Sequence, residues 1–159
     1  MTDQLNSASA VTGTDTASRT LVIERVFRAP PDRVFRAWTD PIELAKWWGP
    51  EGLTAPEVDL DVRDGGAWRT VMEAPDGQRM TVSGVFREIR PPERLVMTWG
   101  WIGEDGERGH ETEIEVTFEG VPEGTKLRLV QSVFDSVEQR NFHNEGWMST
   151  FNDLDKVFG

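Results

Sequence analysis

Several common residue types are scarce in this sequence or missing from it, and each absence excludes a class of chemistry. Cysteine and tyrosine do not occur, and only two histidines are found among 159 residues. Without cysteine the chain has no disulfides, no thiolate metal ligands and no cysteine nucleophile, which is typical of the cytoplasmic location we expect. Because tyrosine is absent, the aromatic residues are seven Trp and eight Phe, none of which carries a hydroxyl group. The aromatic residues therefore favour apolar contact over proton transfer.

Long apolar runs and an excess of basic charge are also missing. No segment approaches the roughly 18 consecutive apolar residues of a membrane-spanning helix, so we expect no membrane insertion. Acidic residues outnumber basic ones by 28 to 17, which gives a formal net charge of −11 at pH 7. Because so acidic a surface repels phosphate groups, we expect no nucleic-acid partner.

The length and the N-terminal composition together indicate one folded domain. A chain of 159 residues is of the size of a single domain with an ordinary core. Residues 1–19 are small and polar and lack both the basic start and the apolar stretch of a secretory signal, so we predict a disordered tail. Residues 20–159 are then the single domain.

Most of the chain follows a strand pattern. Polar and apolar residues alternate over residues 20–29, which are rich in β-branched types and predict a first strand. Turn signals such as Asp76-Gly77 and Asp105-Gly106 then separate six further runs. We predict strands over residues 55–62, 67–74, 80–89, 95–102, 111–119 and 125–134. Their connections are too short for parallel crossovers, so the sheet is expected to be an antiparallel meander.

Two short helices are predicted after the first strand. One begins at Asp32, and the second carries Asp40 as its N-cap with Glu43 closing a capping box. Trp47 and Trp48 are expected in the last turn of the second helix, which the pair Gly49-Pro50 then ends.

A long C-terminal helix is predicted over residues 136–158. It opens with a Ser136-x-x-Gln139 capping box. Large residues recur at spacings of three or four along it, which is the period of one helical face: His143, Trp147, Phe151, Leu154 and Phe158.

Two glycines interrupt predicted elements at a cost of about 0.5–1 kcal/mol each relative to alanine. Gly84 lies inside a strand and predicts a bend or bulge in the sheet. Gly146 lies inside the long helix, where it predicts either a close approach to the sheet or a helix bend over a pocket.

Four segments together resemble a known superfamily. They read "ERVFRAPPDRVFRAWTDPIELAKWWGP", "DVRDGGAWRTVM", "DGQRMTVSGVFREIRPPERLVMTW" and "FHNEGWMSTFNDL". This order resembles the SRPBCC (START-like, helix-grip) superfamily and, within it, the domains named after the activator of the heat-shock-protein-90 ATPase. The resemblance extends from residue 20 to about residue 158.

The resemblance implies an α+β helix-grip fold. A curved seven-stranded antiparallel sheet is expected to wrap around the long C-terminal helix, with two short helices after strand 1. Many members enclose a hydrophobic cavity between sheet and helix. The eukaryotic namesake carries a further chaperone-contacting domain for which this chain has no room, so we do not expect direct chaperone activation.

The inward faces of the predicted strands and of the long helix provide candidate ligand-binding residues. We expect large side chains on those faces to line a cavity under a strongly twisted sheet, and plain core packing is the alternative for each of them. The candidates are Trp48, Trp68, Met72, Met97, Trp99, His143, Trp147 and Phe151. We expect one member of the pair Trp47-Trp48 to anchor the short helices to the sheet and the other to border the pocket entrance. Trp48 is the candidate for the entrance.

These patterns favour the binding of a small hydrophobic or amphipathic molecule. One alternative is an enzyme of the same fold, similar to a polyketide cyclase or a hydrolase, that uses His143 or an inward carboxylate as acid or base. A second is a stress-related or chaperone-associated interaction protein, or a homodimer, in which the exposed member of the Trp47-Trp48 pair is a contact residue. The histidines lack metal-ligand spacing, and we expect neither a metal nor another cofactor.

Overall fold

The structure, a computed structural model, describes residues 18–159. Residues 1–17 of the predicted disordered tail lie outside the described residues. The predicted domain, residues 20–159, is described throughout.

One antiparallel sheet contains seven strands. Their bounds are β1 (Leu21–Phe27), β2 (Thr54–Leu60), β3 (Ala67–Glu73), β4 (Arg79–Arg90), β5 (Arg94–Ile102), β6 (Thr112–Val121) and β7 (Gly124–Ser132). The spatial order is β1-β7-β6-β5-β4-β3-β2. Each strand from β2 to β6 therefore pairs with the next one in sequence, and β1 pairs with β7 at the other edge of the sheet. The predicted meander and its seven strands are confirmed.

Helices cover one face of this curved sheet. They are α1 (Pro31–Thr39), α2 (Pro41–Leu44) and α3 (Val137–Val157). The capping box predicted at α3 is half formed among the described residues. Ser136 Oγ accepts a hydrogen bond from the Gln139 backbone N–H at 3.1 Å, and the Gln139 side chain makes no return bond. The two short helices after β1 and the long C-terminal helix confirm the predicted helix-grip arrangement.

The second short helix ends earlier than predicted. The N–H groups of Lys46 and Trp47 bond carbonyls three residues back, before that of Trp48 bonds the Leu44 carbonyl four residues back, so an irregular turn follows the α-helix. Gly49 then takes a left-handed conformation with φ +104°, which reverses the chain. Trp47 and Trp48 therefore lie in the turn after α2 and not in its last helical turn.

The capping box predicted at α2 is only half formed. Asp40 accepts from the backbone N–H groups of Ile42 and Glu43, at 2.9 and 3.2 Å. Its own backbone N–H, however, donates to the Arg36 carbonyl, which leaves nothing for Glu43 to cap. The Glu43 carboxylate pairs with Lys46 instead.

Gly84 serves a close approach and does not form the bulge predicted for it. The register shift in the β4–β5 pair lies between Phe86 and Glu88. The indole of Trp68 on β3 instead passes across Gly84 on β4 and donates to the Thr98 carbonyl on β5 at 3.1 Å. A Cβ at Gly84 would lie 1.9 Å from that carbonyl oxygen and 2.6 Å from the Trp68 Nε1 atom. Only glycine leaves room for this bridge between strands.

The C-terminal half of α3 packs tightly on β1 and α1. Phe27 on β1 meets Phe151 and Phe158 edge to face, with ring centroids 5.8 and 6.0 Å apart. Trp38 on α1 completes this part of the core, and only 1% of its surface is exposed. The aromatic residues there fill the space between helix and sheet.

Among the residues described, no helix combines the length and the apolar character needed to cross a membrane.

Candidate functional site: an aromatic pocket beside the C-terminal helix

A pocket of about 430 Å³ lies between the N-terminal half of α3, strands β3 to β5 and the loop after α2. A volume of this size falls within the range of small-molecule sites. Its lining consists of Trp48, Gly49, Pro50, Leu53, Met72, Met80, Trp99, Trp101, Phe142, His143, Glu145, Gly146, Trp147, Ser149 and Thr150. Seven of these fifteen residues carry indole, phenyl or thioether groups, and one, Glu145, carries a carboxylate.

The two tryptophans after α2 have different roles. Trp47 faces the short helices, where its indole N–H donates to the Ala37 carbonyl at 3.0 Å. Trp48 lines the pocket, and its indole N–H donates to the Thr70 hydroxyl on β3 at 2.9 Å. Both side chains are buried. The interpretation of one of them as an exposed contact residue is therefore wrong, because the turn after α2 directs both rings into the core.

A buried polar chain orients Trp147. Its indole N–H donates to Gln131 Oε1 at 2.8 Å, and Gln131 Nε2 donates to the Thr112 hydroxyl at 2.8 Å. Thr112 in turn donates to the Trp99 carbonyl at 3.3 Å. Because an indole N–H can only donate, the Gln131 amide oxygen must face Trp147. The ring of Trp147 is thus held in one orientation at the pocket wall.

His143 is fixed in one tautomer by its two partners. The Trp101 indole N–H lies 2.8 Å from His143 Nε2, and the Gln139 carbonyl oxygen lies 2.8 Å from Nδ1. Since the indole can only donate and the carbonyl can only accept, Nε2 is the acceptor and Nδ1 carries the proton. Both ring nitrogens are therefore used within the protein.

Burial favours the neutral form of this imidazole. Desolvation lowers the pKa of His143, against weaker opposing effects from the Gln139 carbonyl and the charge of Asp135. A neutral ring with both nitrogens bonded has no proton to give and no free lone pair to accept one. The geometry therefore gives His143 the role of holding Trp101 in the pocket wall.

Trp99 is held by packing alone. Its ring lies 5.5 Å from that of Trp101, 5.4 Å from that of Trp147 and 5.9 Å from that of Trp48. Its buried indole N–H has no hydrogen-bond acceptor among residues 18–159. Three hydrogen-bonded tryptophans thus surround a fourth whose position depends on van der Waals contact.

Five of the eight predicted binding residues line the pocket, and three lie behind it. Trp48, Met72, Trp99, His143 and Trp147 form part of its surface. The other three are buried in the hydrophobic core outside the pocket lining: Trp68, Met97 and Phe151. The Trp68 ring supports the wall from behind, 6.3 Å from Trp48 and 5.7 Å from Trp99.

Several lining residues were not among the sequence candidates. Trp101 could have been found from the strand period, because it follows Trp99 by two residues and therefore shares its strand face. Met80 could have been found from strand pairing, because it lies opposite Met72. Phe142 and Glu145 had none, since Phe142 stands one position and Glu145 two positions away from the nearest residue of the predicted core stripe of α3. They border the pocket because it opens beside that stripe, at the exposed side of α3.

The pocket mouth carries one carboxylate. Glu145 is exposed, and within residues 18–159 it forms no ion pair. Close by, the Ser149 hydroxyl accepts the backbone N–H of Glu51 at 2.8 Å, which ties the loop after α2 to α3. No lysine or arginine lines the pocket, and the described residues contain no acidic side chain among the buried ones and no cluster of metal ligands.

Comparisons with known proteins agree with this fold. The AHSA1 protein of Silicibacter pomeroyi is 36% identical, with 87% of this chain and 96% of that chain covered and a TM-score of 0.81. Protein CV1439 of Chromobacterium violaceum is 30% identical, with coverages of 88% and 96% and a TM-score of 0.79. A protein of Nitrosomonas europaea is 26% identical, with coverages of 89% and 94% and a TM-score of 0.75. None of the curated proteins matches.

Residues 28–159 match the family described as "Activator of Hsp90 ATPase homolog 1-like protein". This match covers most of the chain, and the START-like fold it shares supports a ligand-binding domain at the level of the family. The chain therefore belongs to the family of activator of Hsp90 ATPase homolog 1-like proteins.

Proposed function

We propose that this protein binds a small hydrophobic or amphipathic molecule in the pocket between the sheet and the first half of α3. The observation that carries the proposal is the composition of the walls, in which Trp48, Trp99, Trp101 and Trp147 surround an open space and no buried charge interrupts them. An apolar molecule entering this space removes both its own surface and the indole rings from water.

The hydrogen bonds of the wall support a role in binding over a role in catalysis. Three of the four indole N–H groups are already bonded, to Thr70, His143 and Gln131. The rings are thereby fixed before any ligand arrives, which lowers the entropy cost of binding. An acid-base reaction would need a free polar group inside the pocket. Both ring nitrogens of His143 are bonded, and the one carboxylate of the lining, Glu145, is exposed at the mouth.

The loop after α2 supports the same proposal. The Ser149 contact with Glu51 and the approach of Pro50 to Gly146 hold this loop against α3 at one side of the mouth. The opening is thereby confined to the region of Phe142 and Glu145. A ligand would enter there with its apolar end first.

Ligand binding can be tested with uncharged probes. We expect n-octanol, n-decanol and naphthalene to change the tryptophan emission and to raise the melting temperature, because a ligand at about 100 times its Kd adds about 2.7 kcal/mol of stability. Gly146→Leu places a side chain in the mouth and should abolish both effects. Met148→Leu, on the outer face of the same helix, should leave them unchanged. The proposal fails if no probe changes the emission or the melting temperature of the unaltered protein.

A further inference from the structure

We infer that the pocket selects amphiphiles with a cationic head group over those with an anionic head group, and that Glu145 and Phe142 hold that head group at the mouth. This inference rests on the proposed function. It adds the charge class of the ligand and the end of the pocket where the charge is placed.

The first argument is the charge at the mouth. Glu145 is an exposed carboxylate without an ion pair among the described residues, so its charge is not neutralised locally. The two cations on its own helix are engaged elsewhere. Arg140 donates to the Thr20 carbonyl, and Lys156 pairs with Glu51 and Asp153. An anionic head group at the mouth would therefore meet a like charge and no compensating one.

The second argument is the aromatic surface next to that charge. Phe142 precedes Glu145 by three residues, so the two side chains are neighbours on one helix face, and 61% of the Phe142 surface is exposed. The face of an aromatic ring attracts cations, most strongly where water is partly excluded. A carboxylate beside an exposed ring is suited to an ammonium group.

The third argument is the interior. Beyond the mouth the lining offers indole rings and the thioethers of Met72 and Met80, and no basic residue that would hold an acidic group. The neutral His143 adds no positive charge. The polar end of an amphiphile therefore has one suitable place, at the mouth, while its hydrocarbon end contacts Trp48 and Trp99.

The overall charge of the protein acts in the same direction but does not explain the position. A net charge of −11 attracts any cation towards the whole surface, and this long-range effect weakens as salt is added. Contact with Phe142 and Glu145 would instead depend on those two side chains. Variants with equal net charge separate the two contributions.

The test uses three n-octyl probes that differ only in the head group: octyltrimethylammonium chloride, n-octanol and octanoate. We expect calorimetric titration at low ionic strength to rank the ammonium first, the alcohol second and octanoate last, with about a tenfold ratio of Kd between the two ions. Glu145→Gln should reduce that ratio markedly. Glu138→Gln, which removes the same charge from the same helix away from the pocket, should leave it nearly unchanged.

Each outcome has one meaning. Binding of octanoate as tight as that of the ammonium, with n-octanol also bound, would overturn the inference and leave the proposed function intact. Equal effects of the Glu145 and Glu138 variants would also overturn it, because the preference would then come from net charge. If none of the three probes binds, the proposed function itself fails.

Discussion

The two halves of α3 lie on the same sheet and are both rich in large side chains, yet one half packs solidly and the other leaves a pocket. Phe151 in the second half and Phe158 just after the helix meet Phe27 on β1 edge to face. His143 and Trp147 in the first half face the aromatic wall of β5, with open space on the side of Phe142. The content of apolar residues does not explain this difference.

The two halves of α3 differ in the element that packs beside the helix and the sheet. The second half of α3 is flanked by α1, whose Trp38 lies 6.2 Å from the Phe151 ring and 4.9 Å from that of Trp47. In the first half, α1 reaches only as far as Trp147, whose ring stacks on that of Trp38 at 5.9 Å. The loop after α2 approaches Gly146, where Pro50 lies 4.0 Å from the position of a Cβ. No residue of α1 lines the pocket, so the open space lies on the part of α3 that this helix does not cover.

The largest contrast should come from removing one indole in each half. Trp38→Ala deletes a ring that contacts other aromatic residues on several sides and should cost about 3–5 kcal/mol of unfolding free energy. Trp101→Ala, in the partly open wall, should cost less than half as much, because that ring is already partly exposed. Urea denaturation of both variants measures the difference, and equal losses would contradict the division into a solid half and an open half.

The buried polar chain behind Trp147 should give the next largest effect. Gln131→Leu leaves the Trp147 indole N–H without its acceptor and Thr112 without its donor, and should cost about 1–3 kcal/mol. Gln139→Leu, an exposed change on α3, should be close to neutral. Denaturation curves provide the comparison, and a stabilised Gln131→Leu variant would refute the importance of this chain.

The open half should also respond to pH through His143. Its pKa in the folded state is lowered from the ordinary 6.5, so the unfolded chain takes up the proton first as the pH falls. The stability contributed by the neutral ring is complete above about pH 6.5 and is lost as the pH falls towards the folded pKa. Unfolding free energies measured between about pH 7 and pH 5 should decline less in His143→Gln than in the unaltered protein. Parallel curves would contradict this assignment.

The smallest effect should come from Gly146, and a second glycine, Gly84, should respond with the opposite sign. Gly146→Ala adds a Cβ in ordinary contact with Pro50 and should stabilise the protein by about 0.5–1 kcal/mol through helix propensity. Gly84→Ala should destabilise it, because its Cβ would overlap the Thr98 carbonyl. Melting temperatures of the two variants test the pair. Destabilisation by Gly146→Ala would mean that the mouth has no room for a methyl group.

Much of the fold could be predicted because local patterns specify it. Alternation and turn residues gave all seven strands to within a few residues, and Ser136 with the periodic large residues gave α3. The end of α2 could not be predicted in the same way. The helix ends where the turn that brings Trp47 and Trp48 into the core begins. That turn depends on contacts of Trp47 with Ala37, 10 residues away, and of Trp48 with Thr70, 22 residues away.

The candidate site was predictable where it coincides with a periodic face. Trp99, His143 and Trp147 lie on faces that any folded form of these elements would turn inward. Glu145 and Phe142 stand beside such a face, so their place at a pocket mouth depends on how far the sheet curves from the helix. The role of Gly84 likewise depends on an indole from a neighbouring strand.

The sequence by itself determined the order of strands and helices, the acidic surface and the inward direction of the aromatic residues, because these follow from backbone periodicity and composition. Only the tertiary structure decided which aromatic rings fill space and which border it. It also decided the neutral state of His143 and the exposure of Glu145 at the mouth. Those properties arise between residues far apart in the chain, where curvature and packing set the distances.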